Sequence, residues 1–163
     1  MVAACVVLPT TTATATASTG STCSGGAARS ATAMRCLLNQ ARRQQGLRPL
    51  RHSPALDRSA ALRAAAIRRC NDFSHTPCGR SFASVYAASG YSLSTHSVAE
   101  NLAWGTGSLA SAGDTVRSWL ASPEHRQNML DGDWRKFGVA VVTVRRLSGA
   151  QNVTVWVAEF GEP

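Results

Sequence analysis

The chain has 163 residues and a formal charge of +8, carried by 16 arginines and a single lysine against nine acidic residues. That length suits one domain whose core buries roughly two-thirds of the unfolded surface, and no run of about 18 apolar residues reads as a membrane-spanning helix. The basic balance favours anionic surfaces, but the arginines are spread through every segment and not interleaved with aromatics, which argues against a nucleic-acid stripe.

Residues 1–30 are rich in Ala, Thr, Ser and Gly without periodicity, a composition that cannot bury enough surface to order itself. Within them, Ala15-Thr16-Ala17 has the A-x-A pattern cut by signal peptidase, so residues 1–17 read as a secretory signal and 18–30 as a disordered tail. Val2-Ala3-Ala4-Cys5 resembles a lipobox, which keeps a lipid anchor at the cell surface as an alternative to secretion.

A first helix is predicted over 31–45, where Met34, Leu37, Leu38 and Ala41 recur at helical spacing, Arg35, Arg42 and Arg43 lie off the stripe, and Gly46 ends the run. A second starts with Ser53 as N-cap and Pro54 at the first helical position, running to about Asn71 with Leu56, Ala60, Ala64 and Ile67 inward. A loop from Asp72 to Gly79 and a short helix over 81–88 follow. Ser97 to Trp104 reads as a strand, and Asp114 as the cap of a helix carrying Trp119. The Val-rich runs 136–144 and 152–160 flank Leu147-Ser148-Gly149-Ala150 and predict a hairpin. Three strands among helices indicate an α+β chain built as an α-β-α sandwich with a small, mainly antiparallel sheet.

Cleavage after Ala17 removes Cys5 and leaves Cys23, Cys36, Cys70 and Cys78, an even number that fits an oxidising compartment. Three pairings are possible. Nearest neighbours, Cys23 with Cys36 and Cys70 with Cys78, would tie the tail to the first helix and brace the loop carrying His75. No C-x-x-C pair exists, so zinc ribbons and thioredoxin chemistry are disfavoured.

In Trp119-Leu120-Ala121-Ser122-Pro123-Glu124-His125-Arg126-Gln127-Asn128-Met129-Leu130, one helix breaks at Ser122-Pro123 and another begins. Ser122 is its N-cap, and His125 sits in its first turn, where the positive end of the helix dipole favours a neutral imidazole. Glu100 lies mid-strand in an apolar setting, where an unpartnered carboxylate is costly, so it needs a histidine, an arginine or backbone donors. Asn101 alternates to the other face and is expected to pin a loop.

Four stretches in order, Asn71 to Gly79, Val98 to Gly105, Trp119 to Leu130 and Trp156 to Gly161, resemble the bacterial, SCP-like branch of the CAP superfamily. Its other members include cysteine-rich secretory proteins, insect venom antigens and plant pathogenesis-related proteins. The resemblance runs from about Ala33 to Gly161 and implies the same α-β-α sandwich, as a domain over 31–163. Superfamily members gather two histidines and two acids in a central cavity, some with a divalent metal. By motif His75 and His125 match the histidines and Glu100 the first acid, while Ser122 stands where the second acid belongs. The resemblance therefore implies a cavity of His75, Glu100, His125 and Ser122. No cofactor is required; the alternative is a zinc ion held by His75, Glu100 and His125. The expected function is a secreted, monomeric module binding a small molecule, lipid or cell-wall component. The alternatives are a metal-dependent hydrolase and a purely structural extracellular domain.

Overall fold

A computed structural model describes Cys23 and residues 28–162. The helices are α1 (Ala31–Gln44), α2 (Pro54–Cys70), α3 (Ser84–Ser89), α4 (Ala112–Ala121) and α5 (Pro123–Leu130), and the strands are β1 (Arg51–His52), β2 (Val98–Gly105), β3 (Lys136–Leu147) and β4 (Ala150–Gly161). The signal sequence lies outside the described residues. Of the segment read as a disordered tail, the described positions are held: Cys23 is bonded to Cys36, Ala28 accepts a backbone hydrogen bond from Ala112, and the Ser30 hydroxyl caps α1.

The sheet order is β1-β3-β4-β2. β3 and β4 are antiparallel and joined by Ser148-Gly149, both at positive φ, as a two-residue hairpin requires. β1 is a two-residue parallel addition to β3, too short to leave a periodic signal in the sequence. The sheet therefore has four strands rather than three.

Alternation along β4 assigns the two faces of the sheet. Trp156, Ala158 and Phe160 pack with Met34, Leu38, Trp119 and Met129 from α1, α4 and α5. Val153, Val155 and Val157 face Ala60, Ala64 and Ile67 of α2. The alanines of α2 allow close packing. At Gly138 a Cβ would lie 2.1 Å from the backbone of Leu56, so β3 must be bare there for α2 to pass. The three layers are the α-β-α sandwich read from the sequence.

Two local readings change. Ser111, not Asp114, is the N-cap of α4: its hydroxyl accepts from the Asp114 amide at 3.1 Å, with Asp114 in the first turn. Arg42, placed off the apolar stripe of α1, is fully buried and donates to the carbonyls of Arg48, Met129 and Asp131 at 2.7–3.0 Å. It ties α1 to the end of α5, and burial pulls its guanidinium below the usual arginine range.

Candidate functional site around His75 and His125

The site starts with the α2 stripe. Arg63 lies three residues after Ala60 and four before Ile67, so it points inward with them and is 1% exposed. Its Nε donates to Glu100 Oε2 at 2.8 Å, its Nη2 donates to the Phe82 carbonyl at 2.8 Å, and its guanidinium lies 5.2 Å from the Phe82 ring centre. This is the partner that the buried Glu100 needs.

Beyond α2, Asn71 adopts left-handed backbone and ends the helix. The disulfide Cys70–Cys78 then closes the loop over eight positions. Cys23–Cys36 is the other bridge, so both disulfides join nearest neighbours. Pro77 is buried at the base of the loop, and the Ser74 hydroxyl accepts from the Thr76 amide. The His75 side chain is left 53% exposed, yet its Nδ1 is 2.6 Å from Oε1 of Glu100, which is 1% exposed. A carboxylate only accepts, so Nδ1 donates, and the neutral ring then presents Nε2 as an acceptor.

Behind Glu100 stands an acid that the sequence reading left without a role. β2 and β4 place Glu100 opposite Glu159, and both lie on the α2 face. Glu159 is completely buried. Its Oε2 accepts from the Tyr86 hydroxyl of α3, while its Oε1 has no hydrogen-bond partner among the described residues. Burial, and then the Glu100 carboxylate, push Glu159 well above the usual carboxylate range, which favours its neutral acid form. In that form a proton on Oε1 would let this oxygen donate. Burial and Glu159 likewise push the Tyr86 hydroxyl up. Arg63 pairs directly with Glu100, at 2.8 Å.

Two of these three residues carried detectable signals. Glu159 interrupts an otherwise apolar strand just as Glu100 does, and Arg63 falls on the apolar stripe by spacing. Tyr86 left none, because its role depends on where α3 packs.

His125 reaches the site from the other side of β2. Ser122 is extended (φ −95°, ψ 123°), as a residue before proline prefers, and this ends α4 and begins α5. It stands at the N-cap position, but its hydroxyl makes no cap bond and instead shares a 2.9 Å hydrogen bond with His125 Nδ1. The His125 ring lies near-parallel to Trp119, at 27° and 6.5 Å between centres. Asn101, on the face of β2 opposite Glu100, donates to the His125 carbonyl at 2.9 Å and accepts from Asn128 at 2.9 Å. Asn101 therefore pins α5 against β2. Burial pulls the His125 imidazole below the usual histidine range, His75 adds repulsion, and Glu124 partly opposes both. Burial, rather than the helix dipole, is thus the main influence favouring the neutral form.

The geometry joins His75 to Glu100 directly and His125 to Ser122. Between the two histidines it gives electrostatic proximity without a hydrogen bond. Among the described residues no group of three His, Cys, Asp or Glu side chains is arranged to hold a metal ion. Glu100 receives His75 on Oε1 and Arg63 on Oε2, so it orients an imidazole. His75, Glu100 and His125 are therefore not gathered as a three-ligand group among the described residues.

A model of the cysteine-rich secretory protein family, CAP, matches residues 37–160. The chain belongs to this family. Among curated relatives, the CAP chain is 29% identical over 125 residues to the protein YkwD of Bacillus subtilis (strain 168). That match covers 76% of this chain but 44% of the relative, so the CAP chain spans less than half of that protein's length. Solved structures share its fold. An outer surface protein of Borrelia burgdorferi superimposes with a TM-score of 0.64 at 22% identity, over 79% of this chain and 89% of that one. An extracellular SCP-domain protein of Bacillus anthracis gives 0.65 at 18% identity, over 80% of this chain and 39% of that one.

Proposed function

We propose that the chain is an extracellular CAP domain that binds a small ligand, lipid-like or derived from the cell wall, where His75 and His125 flank β2. One observation carries the reading: an exposed imidazole, His75, is anchored by a buried, charge-matched network. Burying Arg63 and Glu100 is costly in desolvation, and the network's one half-exposed member is this ring. A binding site gains from such preorganisation, since less side-chain freedom is lost on capture. Nε2 of His75 accepts a polar ligand group, and the neutral His125 beside Trp119 supplies a second polar contact with an aromatic neighbour.

Export is supported by the two disulfides, which persist in oxidising compartments. Among the described residues no helix is long and apolar enough to cross a membrane. The hydrolase alternative has no observation of its own in favour among the described residues.

The test is a thermal-shift screen of the chain and its His75→Ala variant against sterols, acyl lipids and muropeptides, with turnover followed in parallel. Saturable stabilisation by one class, lost in His75→Ala and without product, supports the binding module. Stabilisation at a hundredfold excess over Kd is worth about 2.7 kcal/mol, well within detection. Product release that stops on chelation and in a His125→Ala variant would overturn it.

A further inference from the structure

Arg63 has a second side that the network around Glu100 does not use. Its Nε and Nη2 are bonded, but Nη1 donates to no described residue although the side chain is 1% exposed. A guanidinium carries five N–H donors in a fixed plane, so Nη1 remains available to a further acceptor. Arg63 also lines a pocket of about 100 Å³ between α2, the 3-10 turn at Pro77–Gly79 and α3. The walls are apolar, with Leu62, Ala66 and Val85 among them, and Leu62 is 41% exposed at the surface. Two more arginines line it, Arg69 and Arg80, both exposed and neither in an ion pair with a described residue. No acidic side chain lines it.

We propose that this pocket is a second binding site, separate from the His75 ring, for a small carboxylate with a short aliphatic tail. Arg69 and Arg80, which have no carboxylate partner among the described residues, and the Nη1 group that Glu100 and Phe82 leave unused on Arg63 select an anion, and a carboxylate is a matching acceptor for guanidinium donors. The volume equals the share of about three liquid waters, enough for a carboxylate and a few methylenes. Apolar walls and the half-open Leu62 favour a tail over a fully polar anion such as phosphate, whose remaining oxygens would go unpaired there. Arg69 and Arg80, on the outside, draw the anion in, while Arg63 fixes its head.

The experiment is a titration of the isotopically labelled full chain with butyrate, butanol and inorganic phosphate, read by amide chemical shifts. Butyrate should shift Leu62, Ala66 and Val85 saturably. The folded Arg69→Ala/Arg80→Ala variant should bind it about tenfold more weakly or worse. Butanol, which lacks the charge, should not saturate, and phosphate should bind more weakly than butyrate. His75→Ala should leave the butyrate response intact, which keeps this test separate from that of the proposed site at the histidines. Absence of saturable shifts, equal affinity in the double-arginine variant, or phosphate binding as tightly as butyrate would each overturn the assignment.

Discussion

Replacing Glu159 by Gln tests whether the second buried acid is neutral. Gln has the same shape and keeps both contacts: its carbonyl accepts from Tyr86, and its amide donates toward Glu100, as the acid proton does. The folded-state value of Glu159 lies well above the unfolded one, so the folded chain binds a proton that the unfolded chain releases. Its contribution is therefore complete below the unfolded value, about 4.3, and is lost as pH rises toward the folded value. Each pH unit in that window costs the wild type about 1.4 kcal/mol relative to a group that cannot ionise. Exchanging one neutral hydrogen-bonding group for another alters the contacts by about 1 kcal/mol at most. Urea unfolding at pH 4, 5, 6 and 7, followed by the fluorescence of buried Trp119 and Trp156, gives both stabilities. Groups common to both chains cancel in the difference. The Gln variant should match the wild type near pH 4 and gain on it steadily as pH rises. A variant less stable by a constant amount, or one that loses ground with rising pH, would mean that Glu159 is ionised and shares Arg63.

Glu100→Ala leaves the buried Arg63 charge unmatched and should cost about 3–5 kcal/mol, measured by the same unfolding assay. His125, held below its ordinary value, contributes stability that is whole above about pH 6.5 and is lost as pH falls through the folded-state value. Melting temperatures at pH 7.5 and 5.5 should therefore fall further toward acid in the wild type than in His125→Gln. Opening the loop with Cys70→Ala/Cys78→Ala should cost about 2–3 kcal/mol by the loop-entropy argument, with faster amide exchange from Asp72 to Thr76. Free thiols at these cysteines in unreduced protein would contradict the bridge.

Much of this architecture was readable because it is local. Ser53-Pro54 and Gly46 mark helix limits through cap chemistry, Ser148-Gly149 demands a tight hairpin, and the cysteines pair across short stretches. His75 and Glu100 stood out as a histidine on a braced loop and a lone acid in an apolar strand. What escaped was set by tertiary pairing. Arginines read as solvent-facing by default, yet Arg42 and Arg63 are buried because carbonyls and a carboxylate from distant elements meet them. Glu159 escaped because its partners, Glu100 and Tyr86, lie 59 and 73 positions away along the chain. The Ser122 hydroxyl had two short-range outlets, a cap bond or His125, and spacing alone does not choose between them.

The central claim is that a buried network fixes His75 with Nδ1 as donor and Nε2 open to a ligand. Long-range proton–nitrogen correlation of the histidine rings tests this most directly, at a pH where the ring is neutral. The His75 spectrum should show the proton on Nδ1, and Glu100→Gln, whose amide no longer demands a donor, should release that preference. A His75 ring protonated on Nε2 in the wild type would contradict the account.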